Sequence, residues 1–244
     1  YIQAGLKQQE EQMDMQARMY SDGTASGVIE AAAADSAAMD SASGTGGAAG
    51  SGGYSDTNVR EEGVGEADTV KTDGTHMYIL SGSRVEIVNI ASEEMTEVSA
   101  VTVDPDSYIR ELYVEDNRLA VFYTQSRYTQ GDGIDVSARE YTCTDVYDIS
   151  DPSAPVKLNT LSQSGVYNTM RVKDGYAYVL SSFYPDTASP RSDAGAYVPS
   201  VQGSTLEADR IFMPEQEMGS EYTVITAFSL ADPQEQTDSR AVFG

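Results

Sequence analysis

The segment Asp174-Gly-Tyr-Ala-Tyr-Val-Leu180 is one of three copies of a single pattern, in which a tight-turn pair precedes an apolar run. The other two copies have turn pairs at Asp73-Gly74 and Asp116-Asn117, followed by Met77-Tyr-Ile-Leu80 and Leu119-Ala-Val-Phe122. Because Asp, Asn and Gly tolerate the positive φ of a tight β-turn, each pair predicts the tip of a β-hairpin. The three copies therefore predict an internal repeat built from antiparallel strands.

Two further strands complete each copy. The third strand is predicted at residues 85–90, 144–149 and 225–230, and the fourth near residues 97–103, 156–161 and 238–243. The third-strand copies end on Ile90, Ile149 and Leu230, and each has another apolar residue two positions earlier. Agreement at every second position is expected of copies of one strand, because alternate side chains point to opposite faces of a sheet.

The spacing of the copies matches the blade of a β-propeller. The first two turn pairs lie about 43 residues apart, which is the period of a four-stranded propeller blade. The next interval is longer because a polar insertion occupies residues 125–140. A second insertion, residues 184–220, contains four prolines and separates the second and third strands of the last copy. We expect this second insertion to be a long loop.

These features predict an all-β fold with about three four-stranded antiparallel blades, at residues 67–104, 108–163 and 166–244. The middle strands are apolar on both faces, so each face needs a neighbouring blade to cover it. Propellers usually close with four to eight blades. We therefore expect the ring to be incomplete in this chain and to be continued by sequence beyond it.

The region before the blades has a different composition. Residues 1–20 are rich in Gln, Glu, Met and Ala and predict a short helical stalk. Residues 21–53 are dominated by Ala, Gly and Ser, which cannot bury enough apolar surface to offset the entropy of ordering. We expect these residues to be a flexible linker to the propeller at residues 54–244.

Composition excludes several classes of function. The net charge is −24, and such a field repels phosphate backbones and anionic lipid headgroups, so we expect no nucleic-acid partner. No apolar run is long enough to span a bilayer, so no direct membrane insertion is expected within this chain. With one cysteine and one histidine, the chain forms neither an internal disulfide framework nor a clustered His/Cys metal site.

The segment Tyr54-Ser-Asp-Thr-Asn-Val-Arg-Glu-Glu-Gly-Val-Gly-Glu-Ala-Asp-Thr-Val-Lys-Thr-Asp-Gly74 resembles the opening of a known family. Its members are bacterial and archaeal secreted proteins with a C-terminal β-propeller domain distantly related to WD40 repeats. Tyr147-Asp-Ile-Ser-Asp-Pro-Ser-Ala-Pro155 is similar to a strand-and-turn phrase of the same blades. The chain departs from the family pattern at Arg60, where Gln is usual, and at Gly65, where Asp is usual. The resemblance implies the fold and an exported location, and it implies no reaction.

A few side chains are candidates for a site. Asp68 and Asp73, with Glu66 nearby, could line the central channel and hold Ca²⁺ through oxygen ligands. The alternative is that Asp73 is a turn residue and the other two solvate a strand end. We favour this alternative, because no calcium-loop spacing is present. We therefore predict no cofactor and no catalytic residue, and leave Ca²⁺ open.

The remaining candidates have simpler explanations. His76 follows a turn at a strand start and is expected to be structural. Cys143 lies in a predicted strand and is expected to be a packed thiol. Four tyrosines could form a carbohydrate-binding patch: Tyr108, Tyr113, Tyr123 and Tyr128. Strands also favour aromatic residues, and we favour that explanation.

The leading functional hypothesis is an interaction domain rather than an enzyme. We expect an exported propeller on a stalk, secreted or tethered at the cell surface by a segment upstream of residue 1. Its ligand would be a protein or a carbohydrate, bound by the loops at one end of the blades, including residues 125–140 and 184–220. The alternative is a propeller enzyme, such as a glycoside hydrolase or lyase, that uses carboxylates in the central channel.

Overall fold

The computed structural model describes residues 64–130, 136–190, 192–214, 219–235 and 238–244. The predicted helical stalk (1–20) and linker (21–53) lie outside these residues. The described chain is almost entirely β-structure and forms three antiparallel sheets that follow one another in sequence. Each sheet is a propeller blade, and the ring of blades is not closed within the described residues. The predicted fold class is therefore confirmed.

Blade 1 contains only the four strands of the repeat. They are β1 Val70–Thr72, β2 His76–Ser81, β3 Arg84–Asn89 and β4 Thr96–Thr102, hydrogen-bonded in that order. Strand β2 is apolar at four consecutive positions, Met77 to Leu80, so it has apolar side chains on both faces of the sheet. Strand β3 has Val85 and Ile87 on one face and Val88 on the other.

Blade 2 has the same four strands and two short additional ones. The repeat strands are β5 Ser107–Glu115, β6 Arg118–Gln130, β7 Val136–Asp148 and β8 Val156–Ser164. The insertion at residues 125–140 is strand rather than loop at 125–130 and 136–140, because β6 and β7 stay paired from Arg118↔Asp148 to Gln130↔Val136. We call these paired strands the extended hairpin.

Blade 3 is interrupted by the second insertion. Its repeat strands are β9 Val166–Lys173, β10 Tyr176–Phe183, β14 Tyr222–Ser229 and β15 Asp238–Phe243. Between β10 and β14 the chain forms helix α1 and three two-residue strands: α1 Ala194–Tyr197, β11 Ser200–Val201, β12 Ser204–Thr205 and β13 Ile211–Phe212. A 3₁₀ helix, Ala208–Arg210, precedes β13.

The second insertion was predicted as a long loop; most of its described residues lie in neither a helix nor a strand, but it contains short strands that the prediction missed. Strand β11 pairs with β8 at the outer edge of blade 2, and β13 pairs with β15 at the outer edge of blade 3. Blade 2 therefore has six strands and blade 3 has five, rather than four each. The insertion satisfies backbone groups that these two outer edges would otherwise expose, which explains why such short segments become strands.

The hairpin turns follow the prediction and share one hydrogen bond. Positive φ occurs in the first turn of every blade, at Gly74 in blade 1, at Asp116 in blade 2 and at Asp174 and Gly175 in blade 3. The amide at the end of each third strand donates to a carbonyl of its blade's first turn: Ile90 to Thr75, Ile149 to Asn117, and Leu230 to Gly175, at 2.9, 2.9 and 3.0 Å. The apolar residue at this repeated position thus ends one strand and fixes the neighbouring turn.

Two apolar cores lie between the blades. We call the face that packs on the following blade the outgoing face, and its opposite the incoming face. The core between blades 1 and 2 joins Tyr78 and Ile87 to Leu119 and Val121. The core between blades 2 and 3 joins residues such as Phe122 and Val146 to Val179 and Phe228. Neighbouring blades therefore bury each other's alternate side chains, as propeller blades do.

At the outer strands, one side-chain hydrogen bond, which we call a latch, joins each pair of neighbouring blades. Ser99 on β4 donates its hydroxyl proton to the carbonyl oxygen of Pro152, at 2.6 Å. In the next pair of blades, Asn159 on β8 donates from Nδ2 to the carbonyl oxygen of Pro233, at 2.7 Å. Ser99 pairs with Ile87 and Asn159 with Val146, at equivalent positions beside the same β-bulge. Each latch joins one blade to the third-to-fourth-strand turn of the next.

The segment 64–69 crosses the first strands of the three blades. Gly65 exchanges two backbone hydrogen bonds of 2.8 Å with Val172 on β9, and Asp68 exchanges bonds of 2.9 and 2.8 Å with Leu112 on β5. The chain then enters β1. Since β1, β5 and β9 are the first strands of their blades, this segment ties all three together along their inner edges.

Candidate functional site

The structure gives each acidic channel candidate a different partner. Glu66 forms an ion pair with Arg171 on β9, at 3.2 Å. One oxygen of Asp68 accepts hydrogen bonds from the backbone amide and hydroxyl of Thr69, at 2.7 and 3.4 Å. Asp73 lies in the first turn of blade 1 and is bonded within that turn. The three carboxylates do not form a common cluster, and the described residues contain no group of three metal-ligating side chains.

Asp73 organises the turn that contains it. Its Oδ1 accepts hydrogen bonds from the backbone amides of Thr75 and His76, at 2.8 and 2.7 Å, and its Oδ2 accepts one from the Tyr78 hydroxyl at 2.8 Å. Burial acts to raise the pKa of Asp73, but these hydrogen bonds together lower it below its ordinary value. The alternative favoured from the sequence, that Asp73 is a turn residue, is confirmed.

The histidine and the cysteine are both held in structural surroundings. His76 Nδ1 lies 3.0 Å from the Thr75 hydroxyl and 3.6 Å from Asp73 Oδ2. Cys143 is buried in the core between blades 1 and 2. Burial raises the pKa of its thiol more than the nearby Arg127 lowers it, so the reactive thiolate is disfavoured. The expectation of a packed thiol is confirmed.

A buried carboxylate that sequence reasoning missed lies beside Cys143. Asp145 on β7 is fully buried, and its Oδ2 is 2.6 Å from the Lys157 ammonium. Its Oδ1 accepts hydrogen bonds from the hydroxyls of Thr160 and Tyr123, at 2.7 and 3.1 Å. Burial, reinforced by this carboxylate, raises the pKa of Tyr123 and Tyr147 above the ordinary value. The signal available in the sequence was a carboxylate between Cys143 and Tyr147, on the face that strand alternation assigns to the core.

The two insertions meet at one end of the blades, which we call the insert end. Both connect the second strand of a blade to its third, so they leave the sheets on the same side. Arg139 on the extended hairpin forms an ion pair with Asp193, which immediately precedes α1. Gly165 at the start of blade 3 donates its amide proton to the Glu140 carbonyl, at 2.8 Å. The hairpin and the α1 insertion therefore form one continuous surface.

The four candidate tyrosines separate into two groups. Tyr113 and Tyr123 are buried in the cores on the two faces of blade 2 and cannot contribute to a ligand surface. Tyr108 and Tyr128 are exposed, with 67% and 68% of their surface open to solvent. Tyr184, which directly follows β10, is also exposed at the insert end. The four candidate tyrosines therefore do not form one patch; two of them are exposed, and Tyr184 adds a third exposed ring.

Arginine side chains accompany the aromatic residues of this region. The Arg110 guanidinium lies 4.7 Å from the centre of the Tyr108 ring, and that of Arg127 lies 4.2 Å from the Tyr141 ring. Such stacking fixes each guanidinium. Each also donates within blade 2, Arg110 from Nε to the Thr124 hydroxyl at 3.5 Å and Arg127 from Nε to Gln125 Oε1 at 2.9 Å. The insert end thus combines exposed rings with positioned cations in a protein whose net charge is −24.

The opposite end, which carries the first turns of the blades, has a shallow pocket of about 240 Å³ between blades 2 and 3. Asp116, Asn117 and Arg118 line it from one blade, and Gly175 and Leu230 from the other. Arg118 is held by Asp148 at 2.9 Å, so its charge is already paired within the blade.

Comparison with known families shows which family the chain belongs to. A family model described as a beta propeller domain matches residues 54–244, which contain all three blades. The chain belongs to this beta propeller domain family. No match was found among curated proteins or among solved structures. Within the part of this propeller that the structure describes, no helix has the length and apolar character needed to cross a membrane.

Proposed function

We propose that this propeller is an extracytoplasmic interaction domain, secreted or tethered to the cell surface, that binds a protein or carbohydrate ligand at its insert end. The observation that carries the proposal is the joining of the two insertions by the Arg139–Asp193 ion pair. The two insertions are the parts of blades 2 and 3 that depart from the repeat, and together they form one surface. The remaining strands of these blades keep the repeat. Loops on a rigid scaffold are the usual position of binding residues.

The exposed tyrosines support this assignment. Tyr108, Tyr128 and Tyr184 place large rings with a polar tip in solvent, and such rings contact sugar faces or peptide side chains at little entropic cost. Arg110 and Arg127 add positive charges that ring contacts hold in fixed positions. An exported location agrees with the resemblance of residues 54–74 to secreted proteins and with the high negative charge, which favours solubility.

The inner edges of the blades favour binding over the enzyme alternative. Near the first strands, Glu66 is paired with Arg171, Asp68 accepts from Thr69, and Glu111 accepts from the Tyr167 hydroxyl at 2.5 Å. A general acid and base pair needs two carboxyl groups facing a shared space for substrate. Each of these three carboxylates instead interacts with its own protein partner.

The proposal can be tested with defined soluble polysaccharides and a random peptide library displayed on phage. We expect retention of at least one probe by the full chain, and loss of that retention in a variant carrying Tyr128→Ala and Tyr184→Ala. Tyr176→Ala is the matched control, because this exposed tyrosine lies at the opposite end of β10. Release of new reducing ends from a polysaccharide, lost when Glu66 and Asp68 are replaced by Ala, would instead establish the enzyme.

A further inference from the structure

The extended hairpin of blade 2 rises above the shorter hairpin of blade 1. Counted from the hydrogen-bonded first turns, the last pair of the blade 1 hairpin, Ser81↔Arg84, matches the pair Tyr123↔Cys143 in blade 2. Strands β6 and β7 stay paired well beyond this level. The upper part of the incoming face of blade 2 therefore has no strand of blade 1 opposite it. This surface lies between two neighbouring blades, not at an open end of the ring.

Polar side chains form this upper part of the face. Strand alternation and register place five residues on it: Ser107, Gln125, Arg127, Arg139 and Tyr141. At their base, the β2–β3 turn of blade 1 presents the exposed residues 81–83, whose side chains are two hydroxyls and a glycine. Leu80 and Val85 flank this turn and belong to the same core as Tyr141 packs against. We call the five side chains and residues 81–83 the hairpin ledge.

Arg127 is held on the hairpin ledge without an ion-pair partner among the described residues. Its guanidinium is stacked 4.2 Å from the centre of the Tyr141 ring, and its Nε donates to Gln125 Oε1 at 2.9 Å. Its Nη2 lies 3.9 Å from Cys143 Sγ, which is a weak acceptor. No described carboxylate lies within ion-pair distance of Arg127. The side chain is thus fixed in position while its charge stays unpaired by these residues.

Two arginines lie directly opposite each other on the ledge, and the described residues supply one carboxylate for both. Arg127 and Arg139 are a cross-strand pair, and like charges at such positions are destabilising because the Cβ atoms are only about 4.5–5.5 Å apart. Asp193 neutralises Arg139. The hairpin therefore favours a second anion, beside Arg127.

The other polar groups of the ledge are also short of partners. Arg127 occupies Gln125 Oε1, which leaves the amide nitrogen as the free donor of that side chain. Ser107 lies in register with Gln125 and is 9% exposed, and no described residue bonds its hydroxyl. Buried polar groups usually have partners, so the described chain leaves this polar row incomplete.

The chemistry of the ledge selects the class of ligand. A carboxylate only accepts hydrogen bonds and binds a guanidinium through two parallel bonds, so it complements Arg127. Sugar hydroxyls complement the Gln125 amide and the hydroxyls of Ser81 and Ser83. The ledge has no exposed aliphatic side chain, whereas many modes of peptide recognition use apolar grooves or pockets. A sugar that carries a carboxylate satisfies both requirements.

We propose that the hairpin ledge binds a uronic acid residue of an acidic polysaccharide, with the sugar carboxylate on the Arg127 guanidinium and ring hydroxyls on Gln125 and the serines of the turn. The inference rests on the proposed function, since the ledge is part of the insert end, and it specifies the ligand. The net charge of −24 repels a long polyanion, so recognition depends on short-range contacts and a short oligomer is the suitable probe.

The test is isothermal titration calorimetry of the full chain with trigalacturonate, and with its methyl ester as the uncharged control, in about 0.15 M NaCl to screen the repulsion. We expect saturable binding of the acid and at least about tenfold weaker binding of the ester, because the ester has lost the charge-assisted hydrogen bonds.

Two variants locate the site. Gln125→Glu changes the shape little and supplies Arg127 with a carboxylate from the chain itself, so it should raise the Kd for trigalacturonate at least about tenfold. Arg110→Gln is the matched control and should leave the Kd unchanged. Arg110 is also stacked on a tyrosine, but it contacts Thr124 on the opposite face of β6. Circular dichroism confirms that both variants are folded.

The uronate site is overturned if trigalacturonate does not bind, if its ester binds equally well, or if Gln125→Glu leaves binding intact. A displayed peptide whose retention is lost in Arg127→Gln, with no binding of trigalacturonate, would instead assign the ledge to an acidic peptide. The proposed function is judged separately, because retention of any other probe that depends on Tyr128 and Tyr184 would preserve it after each of these results.

Discussion

Asp73 shows how one side chain holds a turn that sequence patterns identify only as a turn. Two backbone amides and the Tyr78 hydroxyl donate to it, so its charged form is preferentially bound in the folded state. Because the pKa of Asp73 is lowered on folding, the unfolded chain binds the proton more tightly. Asp73 therefore contributes stability above the ordinary pKa of an aspartate, and that contribution is lost as the pH falls through the lower, folded value.

We predict that the free energy of unfolding falls as the pH decreases below about 4, and that it falls less steeply in Asp73→Asn. Urea titrations at several pH values measure the difference. Other carboxylates with lowered pKa, such as Asp148, contribute to both slopes, so the comparison between the two proteins isolates Asp73. Equal slopes would show that the hydrogen bonds to Asp73 do not discriminate between its charge states.

Position 65 has no room for a side chain, because the Tyr113 ring lies against Gly65. A Cβ atom at this position would lie 2.4 Å from the hydroxyl oxygen of Tyr113 and 2.9 Å from two of its ring atoms. We predict that Gly65→Ala lowers the free energy of unfolding by about 1–3 kcal/mol. Adding Tyr113→Phe should recover part of the loss, because it removes the closest atom. A Gly65→Ala protein as stable as the parent would mean that the ring of Tyr113 moves aside freely.

That the acidic candidates hold no Ca²⁺ stays a prediction, and it also belongs to the residue scale. Asp68 and Asp73 already accept protein hydrogen bonds and Glu66 is paired with Arg171, so we expect millimolar Ca²⁺ to change the Tm little. Differential scanning fluorimetry with Mg²⁺ as the control measures the change. A large stabilisation by Ca²⁺ alone, absent in Asp68→Ala, would establish an ion site at this position.

Single residues were predictable where local chemistry determines their role. Asp73 was identified as a turn residue because Asp-Gly pairs accept positive φ, and Cys143 was identified as buried because it follows the alternation of its strand. Asp145 was missed because its partners, Lys157 and Thr160, come from the next strand in register. The sequence could not show which of the four candidate tyrosines, Tyr108 to Tyr128, are exposed. Strand alternation assigns each side chain to a face of its sheet, but the neighbouring blade determines whether that face is covered.

At the scale of elements, the interblade latches are short contacts between distant parts of the sequence. Asn159 and Pro233 are bonded through a side chain, and the adjacent Gln234 donates to the Leu158 carbonyl at 3.4 Å. Each latch holds the outer strands, while the apolar cores hold the middle of the sheets. We infer that the latches set the angle between neighbouring blades.

We predict that Asn159→Ala lowers the free energy of unfolding by about 1 kcal/mol, because it removes one partly buried hydrogen bond. Asn168→Ala on the exposed part of β9 is the matched control and should change stability by less than about 0.5 kcal/mol. Urea denaturation measures both. Equal effects of the two substitutions would show that the latch contributes geometry without stability.

The repeat strands were predictable from sequence, and the inserted strands were not. The apolar pattern of each repeat strand occurs in all three blades, and a pattern that recurs three times is not a chance arrangement of residues. Strands β11 and β13 have two residues each and no periodicity to detect. They exist because the outer edges of β8 and β15 offer unpaired backbone groups, and this is a property of the assembled blades.

At the scale of the whole molecule, the acidity opposes the compact state. The chain has a net charge of −24, most of it on residues 54–244, and charge of one sign in a folded domain repels itself over about 30 Å at 0.01 M salt. We predict that raising NaCl from about 0.01 to 0.3 M increases the Tm, because screening relieves the repulsion. A Tm that falls with salt would show that favourable ion pairs outweigh the repulsion.

The separation of the latches from the insertions has a consequence for how this protein can change. The latches and first turns lie at one end of the blades, and both insertions leave from the other. Evolution can therefore lengthen the sequence at the insert end while the angular spacing of the blades is inherited unchanged. The turn at Gln202 and Gly203 is open to solvent, since nothing lies within 4 Å of a Cβ atom placed at Gly203. Both residues have positive φ, so a graft should be inserted between them and keep both. A short epitope grafted there should be displayed without loosening the blades, which makes the propeller a scaffold whose ligand can be exchanged independently of its fold.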